Sequence, residues 1–491
     1  MPREVISIQV GQCGNQLGLK WWDVMLQEYK ANSQFTDARD ALFDVQPSTD
    51  NIGGDGHKKN SLKARCVAID MEEGVLRSML RGPLHDLFDA NFFVSDVSGA
   101  GNNWAVGHME YGDRYIDSIA DTVRQQVERC ESVQSFILMH SLSGGTGSGL
   151  GTRVLGMLED DFPHVVRLCP VVVPGNVDDV VTAPYNTAFA LRELAEHADI
   201  VLPLDNDALA RMADAALGRH STITTTSSNN NTNTTINTSP LPTGAVPRYS
   251  VAQPTRTALP YDSMNALVAQ MLSNLTCAMR FPGTLNMDVN ELATNLVPFP
   301  RLVFVTSALA PLCVARHSHT TGPRAVDAMF SACLDRQHQF MDVAHGEITS
   351  ALTRDAGASL ATAVIARGPQ ITVGDLARNI PRLRERMRPV YWNEDGFKTA
   401  LCGVSPLGHP QSLLMLSNHC SVAHKLDMLL QRFIRLYSVR SHVHHYEPYL
   451  EMTYFDSTEE VLSTIVDDYK FLNTVEPPAN TPRSMRDLVY Y

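Results

Sequence analysis

The chain has 491 residues, 44% of them hydrophobic, with 40 Lys and Arg against 53 Asp and Glu for a formal net charge of −13. At about 150 residues per domain that length suggests two or three cores. The acidic balance, with no basic stripe, argues against a nucleic-acid partner, and no apolar run approaches the roughly 18–20 residues that span a bilayer.

Nine cysteines are scattered without a C-x-x-C pair or an N-terminal apolar leader, as expected of reduced thiols in a soluble cytosolic protein. Along the first half, strand and helix signals alternate, which predicts an α/β fold with a doubly wound parallel sheet. Val5–Val10 reads as a strand, Gly11–Gln16 as a glycine turn and Leu17–Tyr29 as a helix. Cys66–Ile69, Phe92–Val94, Ser135–His140, Val171–Val173 and Ile200–Leu204 read as further strands, each leading into a polar or glycine-containing turn. This N-terminal domain is expected to cover residues 1–218.

Residues 219–260 form a polar insertion, with Ser, Thr and Asn dominating 221–239 and Pro and Thr following. Such a segment buries too little apolar surface to offset its ordering entropy, so it is expected to be disordered. Met264, Leu267, Val268, Met271, Leu275 and Met279 then recur at helical spacing and predict a long core helix within 261–280. A mixed α/β intermediate domain is expected over 281–420, with strands at Leu302–Thr306, Ala361–Ile365 and Leu413–Leu416. A C-terminal helical hairpin fills 421–472: one helix over Ser421–Tyr437, and a second opened by a capping box of Ser457 and Glu460. The tail, 473–491, carries two acidic and two basic residues.

The chemistry gathers at turns that follow strands. Ser141–Gly149 reads S-L-S-G-G-T-G-S-G between a strand and a helix. Glycines let successive N–H groups point one way, and a helix N-terminus adds partial positive charge, so a polyphosphate is the natural guest. No lysine follows, which excludes the lysine-bearing phosphate loop; amides, the Thr146 and Ser148 hydroxyls and a metal ion would meet the charge instead. Gly11–Gln16 (G-Q-C-G-N-Q) is a second such turn and Gly99–Asn103 (G-A-G-N-N) a third. Asp70 and Glu72 offer hard oxygen ligands for Mg²⁺. Asp205–Asn206 follows a strand, while Tyr261 and Asn265 stand four apart, a ring to stack on a purine and an amide to read its edge.

With G-Q-C-G-N-Q, G-A-G-N-N-W-A-V-G-H, S-G-G-T-G-S-G-L-G-T, A-P-Y-N, L-D-N-D-A-L, R-F-P-G-T-L-N-M-D and N-L-V-P-F-P-R-L in this order, the sequence resembles the tubulin family over most of its length. The resemblance implies GTP or GDP with Mg²⁺. It places Gln12, Cys13 and Gln16 at the phosphates and metal-bound water, and Glu72 with Gln12 at the metal. Asn102, Ser141, Gly144, Gly145, Thr146 and Gly147 would line the phosphate site, and Asp179 and Asn206 would lie near ribose and base. Tyr261 would stack on guanine and Asn265 would read it. It further implies that hydrolysis is completed across a longitudinal subunit contact, with Glu291 as base or water-orienting group on a partner's GTP and Asp288 assisting. Three residues apart, these two carboxylates are expected on one side of a helix.

Several positions depart from the subunits of the microtubule wall: Glu73 for proline, Thr182-Ala183 where a ribose-contacting glutamate is expected, Ser143 for the first glycine of the phosphate turn, and the non-acidic tail. These point to a minor branch of the family tied to centrioles, basal bodies and cilia, in the cytoplasmic cytoskeleton. Other tubulins and centriolar microtubules would be its partners, through longitudinal contacts and, near His317 and His319, lateral ones. Neither that pair nor His442, His444 and His445 has the carboxylate or thiol spacing of a metal site. A nucleotide-stabilised scaffold without turnover, and an ordinary wall subunit, are the alternative readings.

Overall fold

The computed structural model describes residues 3–52, 58–176, 180–216, 261–312, 323–342 and 357–475. The insertion at 219–260, Asp179, the His317 and His319 pair and the tail beyond 475 lie outside the described residues.

Strand and helix alternate from the start: β1 (Glu4–Val10), α1 (Gly11–Ala31), α2 (Thr36–Asp40), a hairpin of β2 (Phe43–Ile52) and β3 (Lys58–Ala64), then β4 (Cys66–Asp70) and α3 (Glu73–Arg81). β5 (Phe93–Ser95), α4 (Gly112–Glu128), β6 (Val133–Ser141), α5 (Gly151–Asp161), β7 (Val166–Val173), α6 (Ala183–His197), β8 (Ile200–Asp205) and α7 (Asn206–Ala216) follow. Six strands form one parallel sheet in the order β5-β4-β1-β6-β7-β8. Strand order reverses between β1 and β6, which opens a crevice at the carboxyl edge there.

Helices cover both faces, so both residue parities of a strand are apolar. In β6, Phe136 and Leu138 join the core beneath α4–α6, while Ile137 and Met139 join a second core beneath α1. α1 begins at Gly11, so the expected turn at Gly11–Gln16 is already the first turn and a half of the helix. The chain enters it through a positive φ of 74° at Gly11, a conformation that needs no loop residues.

The long core helix is α8 (Asp262–Leu275), continued after a break at Thr276 by the short α9 (Cys277–Arg280). β9 (Gly283–Leu285), α10 (Val289–Leu296), β10 (Thr306–Ala310), α11 (Pro323–Cys333), β11 (Ser359–Arg367), α12 (Val373–Met387), β12 (Phe397–Cys402) and β13 (Ser412–His419) build the second layer. Its sheet runs β10-β13-β11-β12-β9, with β11 and β12 parallel and the other pairs antiparallel. The strand expected at Leu302–Thr306 begins only at Thr306; Phe304 makes an isolated bridge to Val201.

α13 (Val422–Ser438) and α14 (Met452–Thr474) pack on α6. α14 starts five residues before the expected capping box. Ser457 therefore lies inside it, donating to the Tyr454 carbonyl and accepting from Arg192.

α1 and α8 lie between the two sheets, and a buried charge cluster fastens the layers. Glu28 of α1 accepts from Arg280 at 2.7 Å, from Arg367 of β11 at 3.2 Å and from Ser273 of α8 at 2.8 Å. Burial alone would raise this carboxyl, but the two guanidinium groups and the Ser273 hydroxyl outweigh it and hold Glu28 near 2.

Candidate nucleotide-binding site

Every turn singled out by its chemistry, except those around Asp288 and Tyr261 and at residues outside the description, leaves the carboxyl edge of the parallel sheet. Gln12 and Cys13 follow β1, Asp70 and Glu72 follow β4, Gly99–Asn103 follows β5, and Ser141–Thr146 follows β6. At the switch point the turns after β1 and β6 touch. A Cβ on Gly11 would stand 3.0 Å from the Gly147 nitrogen, and one on Gly147 would stand 2.9 Å from Ser141 Oγ. Bare backbone is therefore required where the two turns meet.

Both phosphate-type turns after β5 and β6 run into a wide helical turn, Val106–Tyr111 and Thr146–Leu150, before a regular helix begins. Gly107 and Gly149 allow these two turns to pack backbone to backbone. Ser143 carries no positive φ, so the serine at that position costs no backbone strain. Ser148, in contrast, does not offer its hydroxyl to a ligand: it is fully buried and donates to the Gly144 carbonyl. Thr146 remains half-exposed.

Asn186 ties the turns together. Its Nδ2 donates to the carbonyls of Asn102 and Ser143, both at 2.8 Å, and its Oδ1 accepts from Trp104 N at 2.9 Å and Tyr446 Oη at 2.6 Å. Thr182 Oγ1 also donates to the Asn102 carbonyl, at 2.9 Å. Asn102 sits at a positive φ of 54°, a conformation Asn tolerates better than most residues. Asn186 stands in the A-P-Y-N stretch, but nothing local distinguished it as a brace for two turns 43 and 84 residues away.

The donor set suits a divalent cation. Asp70 is 3% exposed; its Oδ1 accepts from Glu72 N at 3.3 Å, while its Oδ2 lacks a hydrogen-bond partner. Burial pushes this carboxyl up to about 6, a cost that a bound cation would remove. Glu72 is exposed and its side chain lies over Gly99, and Gln12 is exposed at the start of α1. Half-buried Cys13 is held up near 11 by desolvation, so it faces the crevice as a neutral thiol. Among the described residues no preformed cluster of three His, Cys, Asp or Glu stands ready for a metal, including at His442, His444 and His445.

Asn206 is the first residue of α7, directly after β8. α1 packs along α8, and Lys20 Nζ pairs with Asp262 Oδ1 at 3.2 Å. One turn earlier on that face of α1 lies Gln16, so the helix brings Gln16 to the end of α8 that carries exposed Tyr261 and half-buried Asn265.

Glu291 and Asp288 lie elsewhere. α10 shares a surface cleft, through Ala293 and Val297, with Arg167, Ala198 and Asp199 at the amino ends of β7 and β8. The two carboxylates do not share a helix side: Asp288 is the N-cap, and its Oδ1 accepts from Glu291 N at 2.8 Å. Glu291 is 44% exposed and pairs with Lys398 Nζ of β12 at 3.4 Å.

A family model described as Tubulin/FtsZ family, GTPase domain, matches residues 4–214, and one described as Tubulin C-terminal domain matches residues 300–431. The chain is 40% identical to the tubulin epsilon chain of Homo sapiens over 97% of its own length and 98% of that protein's. The tubulin epsilon chain of Mus musculus gives the same identity and coverage. The tubulin beta chain of Coprinopsis cinerea is 28% identical, covering 95% of each chain.

Proposed function

The chain belongs to the tubulin family, and from that premise we propose that it binds GTP or GDP with Mg²⁺ between β1 and β6 and lends a carboxylate to a neighbouring tubulin's nucleotide. Backbone N–H groups of Gly144–Gly147, the Thr146 hydroxyl, Ser141 and Asn102 grip the phosphates, with Gln12, Cys13 and Gln16 along α1. Glu72 and Gln12, backed by Asp70, would hold the divalent ion, which when bound neutralises phosphate charge. Asn206, with Asp179, meets the ribose and base; Tyr261 stacks on guanine and Asn265 reads its edge.

One observation supports the trans arrangement: α10, the helix that carries Glu291, borders a cleft at the amino ends of β7 and β8, in the sheet whose carboxyl edge carries the crevice. Strands of six to eight residues put roughly 20 Å between those ends. A carboxylate must come within about 3 Å of the water it activates, so Glu291 serves another subunit's nucleotide and not its own. Asp288 assists by fixing the start of α10.

Similarity to epsilon chains, together with a tail holding two acids and two bases, supports a place at centrioles and basal bodies, outside the ordinary wall. Binding without turnover is favoured by one contact, the pairing of Glu291 with Lys398. Nucleotide content after native purification tests the site. Phosphate release on adding α/β-type tubulin, with and without Glu291→Ala, tests the role in trans. Unchanged release in the variant would leave the scaffold reading.

A further inference from the structure

Two cations on one face of α13 reach past the helix into the loops that flank Asn206. Lys425 and Arg432 are seven residues apart, two helical turns, and so point the same way. Lys425 Nζ meets Asp205 Oδ2 at 2.6 Å, with side chains 7% and 2% exposed. Asp205 Oδ1 accepts from Asp207 N at 3.1 Å, across the first turn of α7 where Asn206 stands. Asp207 Oδ2 accepts from Asn176 N at 2.8 Å, in the loop after β7. Asn176 Oδ1 and the Gly175 carbonyl then accept from Arg432, at 2.6 and 2.9 Å, which returns the path to α13.

These contacts form a closed circuit through four elements, with a charged side chain in every joint. An ordinary surface lysine would extend its ammonium into water. Here the ammonium is desolvated to hold one strand end, and truncating either partner would strand a buried charge.

We infer that Lys425 and Arg432 are positioning residues for nucleotide retention, fastening the Asp205–Asp207 turn and the Gly175–Asn176 loop to α13. The inference rests on the guanine-nucleotide reading of the crevice. Its consequence is that a partner bearing on α13 alters how long the nucleotide stays bound, without touching the crevice.

The test uses the full-length protein loaded with a fluorescent GDP analogue in magnesium buffer, and reads its dissociation rate. Arg432→Gln is expected to speed release about tenfold, the worth of one charge-assisted hydrogen bond. Arg432→Lys, which keeps a cation for the Gly175 carbonyl, should restore the rate to within about threefold. Because Lys425→Met alone leaves Asp205 uncompensated and risks misfolding, the neutral pair Lys425→Met with Asp205→Asn serves as the second variant and should also release faster. Wild-type release rates in both Arg432→Gln and the neutral pair would overturn the inference. So would acceleration in Arg432→Gln that Arg432→Lys fails to reverse while both melt lower, which would mark a purely structural contact. A wild-type protein that cannot be loaded at all would instead refute the nucleotide reading, and this inference with it.

Discussion

Asn186→Ala offers the sharpest test of how the phosphate turns are held. The side chain is fully buried and makes four hydrogen bonds. Truncation leaves the Asn102 carbonyl and the Tyr446 hydroxyl with Thr182 as partner, but deprives the Ser143 carbonyl and Trp104 N of theirs. At about 1–3 kcal/mol for each orphaned buried group, and allowing for relaxation, the loss is about 4 kcal/mol, a large share of a typical folding free energy. Thr182→Val, which leaves all four Asn186 bonds in place and removes the side bond to Asn102 and the contact with the Tyr446 hydroxyl, should cost about 1 kcal/mol. Urea unfolding with and without GTP and Mg²⁺ separates two effects. Stability without nucleotide should fall by the amount above, and the extra stability conferred by nucleotide should nearly vanish, because the two turns lose their common brace. A loss under about 1 kcal/mol, with nucleotide still conferring its full stabilisation, would refute this account of Asn186.

Gly147→Ala should weaken GTP binding at least tenfold in filter retention, since the new methyl would press on Ser141 Oγ and N where backbone amides must face phosphate. Lys398→Met should change unfolding free energy by no more than about 1 kcal/mol, the pair being half-exposed, yet raise partner-stimulated phosphate release by freeing Glu291. A fall in release would show that the pairing helps. His197 is raised to about 9 by its hydrogen bond to Glu193, opposed by burial and reinforced by Glu159. Its contribution is therefore complete below the unfolded value of about 6.5 and is lost as pH rises through about 9. Urea titrations between pH 7 and 9.5 should show a decline that His197→Gln flattens.

The carboxyl-edge site was legible because glycine turns after strands have a signature in residue type. Strand register was not. Leu302–Ala310 reads L-V-F-V-T-S-A-L-A, mostly apolar on both sides of Thr306 and Ser307, and periodicity cannot say that the ladder starts at Thr306 and not before it. The start of α1 was hidden for a different reason: G-Q-C-G-N reads as a turn unless one glycine carries the whole reversal, as Gly11 does. The N-cap at Asp288 had a signal, an Asp three residues before a Glu, but pairing the two carboxylates for catalysis masked it. Capping chemistry misled again at Ser457, where the packing of α14 on α6 carries the helix through. Asn186, Lys425 and Lys398 left no local trace, because their partners lie 43 to 260 residues away and only the fold unites them.

Setting α10 and the glycine turns on opposing margins of one sheet gives the molecule a vector. Any docking of the first onto the second joins unlike surfaces, so such a contact cannot close on itself through a two-fold axis. Each join leaves one spare surface of either kind, and unless its rotation closes a ring a string made this way stays open. Its tips then differ chemically, one displaying an uncovered crevice and the other an idle acid.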